Sequence, residues 1–213
     1  MRSSWQLGHW RGVPITLHWT VLLALPWFLY QTRSLVGTAI AFIAFFGLLL
    51  AHEVGHAAVA MWRRVEVLWI RLLVIHGECA HEEPDYELDD VLIAWGGVAA
   101  QLVLLIAALG VDMLLAPTSS SVYRASAPLL HVFIETNLVI MIVNLIPLAP
   151  FDGATAWRIL PILADWAKGT HWAAKARWLA AARERSREKK IEAKSERITA
   201  EIIDKLKKGK RDA

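Results

Sequence analysis

The sequence predicts an all-α polytopic membrane protein of about four transmembrane helices, with a small membrane-associated β-hairpin and a C-terminal cytosolic helix. Three observations predict it. The chain has 213 residues, 56% of them hydrophobic, with a mean hydropathy of +0.40, too apolar for an ordinary water-soluble domain. Its apolar residues gather in four long runs, each near the roughly 20 residues an α-helix needs to cross the hydrocarbon. Beyond about residue 166 the composition changes to interspersed basic and acidic residues.

The first run, Val13 to Tyr30 (VPITLHWTVLLALPWFLY), carries Trp19, Trp27 and Tyr30, with Trp10 just ahead, as candidate interface anchors. The start before it, MRSSWQLGHWRG, is polar, and no small-residue cleavage pattern follows the run, so it is expected to stay as an anchor. The second run extends from about Val36 to Trp62. In the 63–90 loop, RRVEVLWIRLLVIHGE mixes β-branched residues with charges, and Gly77 and Pro84 punctuate it, which predicts the hairpin. The third run is Val91 to Leu115 and the fourth Pro128 to Pro150, followed by a short apolar stretch to about Trp166.

These runs set a core of residues 1–165 and a charged helical tail of 166–213. In the tail Ile191, Ile198, Ile202 and Leu206 fall on roughly one face of an amphipathic helix, which reads equally as a solvated charged helix or as a surface for a regulator, the membrane, or a second copy of the chain in a homo-oligomer. Arg2, Arg11, Arg63, Arg64 and Arg71 and the basic tail lie on one side of a four-span arrangement, whereas residues 31–35 and 116–127 carry only Arg33 and Arg124. Lysine and arginine mark the cytoplasmic side, so both termini and the 63–90 loop are expected there, in a bacterial or archaeal cell membrane. A single cysteine, Cys79, excludes an internal disulfide. No phosphate-cradling glycine loop and no nucleic-acid motif is present, and the basic flanks fit the lipid bilayer better than nucleic acid.

The second run contains LLLAHEVGHAAVAMW, which places His52, Glu53 and His56 among leucines and alanines. An ionisable group near the bilayer centre costs about 2.5–3.5 kcal/mol even on the lenient insertion scale, so such groups point to function. Positions four apart share a helix face, so both imidazoles can reach one ion. Glu53, about 100° round the helix, can reach a water on that ion instead. This is the pattern of a metal-dependent hydrolase, and it needs a third ligand from another span. Asp152, in NLIPLAPFDGA, is the best candidate: Pro147 and Pro150 break the helix where the carboxylate sits. Taken alone, Asp152 also reads as a helix N-cap. Glu135 is the alternative third ligand, within one turn of His131 in the fourth run. His18 reads as a buried, hydrogen-bonded histidine, and His76, Cys79 and His81 fit no strong metal template.

Together HEVGH and Asn144-x-x-Pro147-x-x-Pro150-x-Asp152-Gly153 resemble the paired motifs of the site-2 protease family of intramembrane zinc metalloproteases. The G-x-P-x-x-x-H-W opening at Gly12, Pro14, His18 and Trp19 resembles that family's first span. The resemblance implies one Zn²⁺ held by His52, His56 and Asp152, with Glu53 as general base. It also implies a substrate-binding role for Asn144, with hydrolysis of a peptide bond in the transmembrane segment of a single-span membrane protein. Where the family carries Ala-Gly-Pro-x-x-Asn, this chain has WGGVAAQ, and Gln101 supplies the amide expected beside the substrate. A catalytically silent relative that binds membrane proteins is the alternative, which the intact ligand set and glutamate argue against.

Overall fold

The computed structural model describes residues 4–74, 77–118, 120–167, 175–189 and 191. The chain divides into two compact units, Met1–Leu160 and Pro161–Ala213.

The first unit opens with strands β1 (Ser4–Trp10) and β2 (Val13–His18). Between them Arg11 and Gly12 both adopt positive φ, 50° and 89°, as a two-residue turn matched to strand twist requires. A 3₁₀ segment (Trp19–Leu23) and the short helix α1 (Ala24–Thr32) follow, then helix α2 (Leu35–Trp62). Strands β3 (Val67–Leu72) and β4 (Gly77–His81) come next, then α3 (Glu87–Leu115) and α4 (Ser121–His131). A π-helical segment (Val132–Thr136) joins α4 to α5 (Asn137–Asn144), the short helix α6 (Gly153–Ala156) follows, and α7 (Ile159–Ala167) begins in the first unit and continues into the second.

Among the described residues three helices are long and apolar enough to cross a membrane: Leu35–Trp62, Glu87–Thr118 and Ser121–Asn144. The expected first span is corrected. Its front third is strand β2, because Val13, Ile15 and Thr16 are β-branched and lie between β1 and β3 in one four-stranded sheet, ordered β1-β2-β3-β4. The 3₁₀ segment and α1 that follow extend for only roughly 24 Å at 2.0 and 1.5 Å per residue, short of the roughly 30 Å hydrocarbon core. His18 caps this segment: its Nδ1 lies 2.9 Å from Thr20 Oγ1 and accepts from the Thr20 amide. Helix α1 then runs back along α2, with Phe28 against Phe45 and Thr32 bonded to Thr38 at 3.0 Å.

The predicted hairpin is present as antiparallel β3 and β4, but it is half of a larger sheet. Strand β2 pairs with β3 in parallel, Ile15 opposite Ile70 and Leu17 opposite Leu72. Ile70 and Leu72 are fully buried against the helices.

Helices α2 and α3 form the centre of the unit. They meet at Gly55 and Gly96, where a Cβ on Gly96 would stand 2.6 Å from the Gly55 carbonyl oxygen, so only glycine allows this approach. At the sheet end Arg63 pairs with buried Asp89 and ties the end of α2 to the start of α3. The fourth run begins and ends earlier than expected. Ser120 caps it, accepting from the Tyr123 amide at 3.1 Å, and Pro128 within α4 precedes the π-helical break. The helix stops at Asn144, so residues 145–152 form a loop that brings Asp152 back toward α2.

In the second unit residues 175–189 are helical. Ile198, Ile202 and Leu206, which set the predicted tail face, lie outside the described residues, as does His76.

Candidate metal centre

His52 and His56 lie on one face of α2, four residues apart, and both are at most 5% exposed. Their ring orientations are held from behind. His56 Nδ1 donates to the Ile93 carbonyl at 2.7 Å, and His52 Nδ1 lies 3.1 Å from Gln101 Oε1. Each ring therefore turns its Nε2 to the same point, and the two Nε2 atoms are 3.0 Å apart. Gly97 on α3 makes this possible, since any side chain there would overlap both imidazoles.

The loop after α5 carries the third group. Gly153 packs against the carbonyls of Leu145 and Ile146, where a Cβ would not fit, and Trp157 Nε1 donates to the Leu145 carbonyl at 2.6 Å. Trp95 on α3 donates to the Ala156 carbonyl at 3.0 Å, and Arg158 pairs with Glu87 and Asp90. These contacts clamp the loop on the first turns of α3, and Asp152 Oδ2 comes to 3.1 Å from His52 Nε2 and 3.2 Å from His56 Nε2. Asp152 precedes α6 but makes no capping bond, so the N-cap reading is not what the carboxylate does.

The three atoms form a triangle with sides of 3.0, 3.1 and 3.2 Å. Ligands about 2.0–2.1 Å from a tetrahedral zinc stand about 3.3 Å apart, so the triangle has nearly the size of one face of that tetrahedron. Asp152 Oδ2 is buried and lacks a partner with hydrogen-bonding geometry, despite its two close nitrogens. A buried carboxylate oxygen of this kind is what a metal ion would satisfy. Glu53 Oε1 is 3.8 Å from His52 Nε2, outside the triangle, and its carboxylate rests on Gly77 of β4. His52, Glu53 and His56 form a buried group able to hold a metal.

A cavity of about 410 Å³ opens beside the triangle, lined by Glu53, His56, Gly77, Cys79, Pro150 and Asp152 among others. The Asp152 side chain is 24% exposed against 5% for His52, so the approach is from the Asp152 side. Burial works against the Asp152 charge, but the two imidazoles outweigh it and hold this carboxyl below the usual carboxylate range. Burial pushes the Cys79 thiol up to about 12, and the Glu53 and Asp152 carboxylates add to the effect.

Of the other residues singled out in the sequence, Asn144 is at the site, its Nδ2 3.2 Å from His52 Nε2. Gln101 is placed differently from the expectation: it is fully enclosed and faces His52 from behind rather than the cavity. The reason is helical spacing, since Gly97 and Gln101 share the face of α3 that packs on the histidines. Glu135 does not take part. Its side chain is 72% exposed and pairs with His131 at 3.1 Å, which removes it as a third ligand. Residues the sequence reading missed are Ile93, whose carbonyl orients His56, and Gly77 under the glutamate.

Apolar helices long enough to span a membrane, a four-stranded sheet and a buried His-Glu-His group together define a membrane protein with a candidate metal centre. No protein-family model matches the chain. It is 31% identical over 162 residues to a zinc metalloprotease of Methanocaldococcus jannaschii, a match covering 75% of this chain and 46% of the relative. The chain thus spans about half the length of that curated relative. Its fold is similar to the solved structure of a site-2 protease from the same organism. The TM-score is 0.56 at 26% identity, covering 75% of this chain and 72% of the other. The two likenesses together support assigning the chain to the site-2 protease family.

Proposed function

We propose that the protein is an intramembrane zinc metalloprotease that hydrolyses a peptide bond within a transmembrane segment of a single-span membrane protein. The observation that carries this reading is the triangle of His52 Nε2, His56 Nε2 and Asp152 Oδ2, with Glu53 standing just off it. The three would hold one zinc. Zinc in such a site acidifies a water molecule.

Glu53, buried and carried by the same helix turn as His52, would take a proton from the attacking water at its carboxylate and give it to the leaving amine. The Asn144 amide, beside His52 Nε2, is a hydrogen-bond donor for the charge that develops on the substrate carbonyl oxygen. Strand β4 is an edge of the sheet, and Gly77 and Cys79 line the cavity, so an extended substrate segment can add to that edge by strand pairing. Arg2, Arg11, Arg63, Arg64 and Arg71 support placing the N-terminus and the 63–90 loop on the cytoplasmic side.

The test is zinc content and cleavage of a co-expressed single-span reporter by wild type, Glu53→Gln and Asp152→Ala. Wild type and Glu53→Gln are expected to hold one zinc each, Asp152→Ala to lose it, and only wild type to cut. Wild type without zinc, or a Glu53→Gln protein that cuts like wild type, would overturn the reading.

A further inference from the structure

The two candidate histidine ligands are oriented by different chemistry. His56 Nδ1 faces the Ile93 backbone carbonyl, which only accepts, so this ring must carry its proton on Nδ1. His52 Nδ1 faces a side-chain amide, Gln101, which can present either oxygen or nitrogen. With the oxygen turned to the ring, as here, His52 is protonated at Nδ1 and its Nε2 lone pair points to the triangle. With the nitrogen turned to the ring, the proton moves to Nε2 and that lone pair is lost.

Gln101 is 0% exposed, and its backbone carbonyl is held by the Asn137 amide at 2.9 Å, on a residue that is itself 0% exposed. Its own Nε2 is buried without a partner. A fully enclosed amide with one unpaired end is an unfavourable arrangement unless the paired end is needed. A carboxylate would accept from His52 more strongly, but it would add a buried charge inside a spanning helix. Glutamine supplies the acceptor without the charge.

We propose that Gln101 is a positioning residue that fixes the Nδ1-protonated tautomer of His52 and thereby sets the metal affinity of the site, and that it does not contact substrate. The inference rests on the metal reading above.

Zinc affinity is measured by chelator competition on the full chain in nanodiscs, with thermal unfolding of the metal-free protein as the folding control. Gln101→Leu keeps the approximate volume and removes the acceptor, and is expected to weaken zinc binding about 10- to 100-fold. At saturating zinc its cleavage of the reporter should recover, with KM unchanged. Gln101→Glu keeps the acceptor and is expected to bind zinc as tightly as wild type or more tightly, which gives a readout that does not depend on the leucine variant folding.

Wild-type affinity in folded Gln101→Leu, or a raised KM with zinc affinity unchanged, would overturn the proposal. So would a folded Gln101→Glu weakened more than tenfold. If wild type itself binds no zinc, the metal reading fails and this inference fails with it. If wild type binds zinc and Gln101→Leu binds it equally, only this inference fails.

Discussion

Gly97→Ala isolates the geometry of the centre with a single methyl group. A Cβ at Gly97 would stand 2.5 Å from His52 Cε1 and 2.7 Å from His52 Nδ1, and closer still to His56 Nε2, whereas ordinary contact begins at 3.4 Å. The His52 ring would have to retreat by roughly 0.7–0.9 Å, several times the ±0.2 Å within which metal–ligand distances are held. Retreat is opposed on both rings, because Gln101 and the Ile93 carbonyl hold their far nitrogens. Nor can α3 back away freely, since Gly55 and Gly96 are already in backbone contact one residue along. Zinc affinity should therefore fall by at least the effect of losing an outer hydrogen-bond partner, about 10- to 100-fold. That is roughly 1.4–2.7 kcal/mol. Alanine favours helix over glycine by about 1 kcal/mol, so a weakened α3 would not be the cause. Chelator competition in nanodiscs reads the affinity and circular dichroism reads the helix. Affinity within threefold of wild type in a folded Gly97→Ala protein would refute the argument that the two rings are pinned.

Gly77→Ala acts on the proposed base rather than the proposed ligands. Its Cβ would displace the Glu53 carboxylate, the flexible end of a side chain, so zinc content should stay at the wild-type level while reporter cleavage falls about 10²- to 10⁴-fold. Equal loss of zinc and cleavage would contradict the separation of roles. Cys79 should be slow to alkylate. With its thiol pushed up to about 12, the thiolate fraction at pH 8 is about 10⁻⁴, and reactivity with iodoacetamide should climb only as pH approaches 12. Because Cys79 is the single cysteine, mass spectrometry of the intact chain reads this directly, and rapid modification of the folded protein at pH 8 would contradict it.

His52, Glu53 and His56 could be read from the sequence because their spacing is local and their setting in an apolar helix is anomalous. Asp152 was legible for a related reason, the two prolines that break a spanning run next to a charge. The sheet was legible only in part. Strand β3 carries its own β-branched pattern, but β2 is continuous with an apolar run, and its partner Ile70 lies 55 residues beyond Ile15. Pairing at that distance is a property of tertiary packing, which a hydropathy reading does not contain. The placement of Gln101 was accessible in principle, since Gly97 and Gln101 share a helix face. What the sequence lacks is the neighbour that this face meets, so an amide expected beside the substrate is found behind a histidine.

The parallel pairing of β2 with β3 has a consequence for biosynthesis. The β1–β2 hairpin leaves the ribosome before α2 exists, and it has no strand to join until the chain has threaded α2 and turned back through β3. The centre is completed later still, because Asp152 follows His56 by nearly one hundred residues. At translation rates of about 5–20 residues per second, roughly 5–20 s separate the two. A nascent chain thus carries Glu53 and both histidines before Asp152 is made, and the proposed metal centre can close only after the helix Ser121–Asn144 is complete.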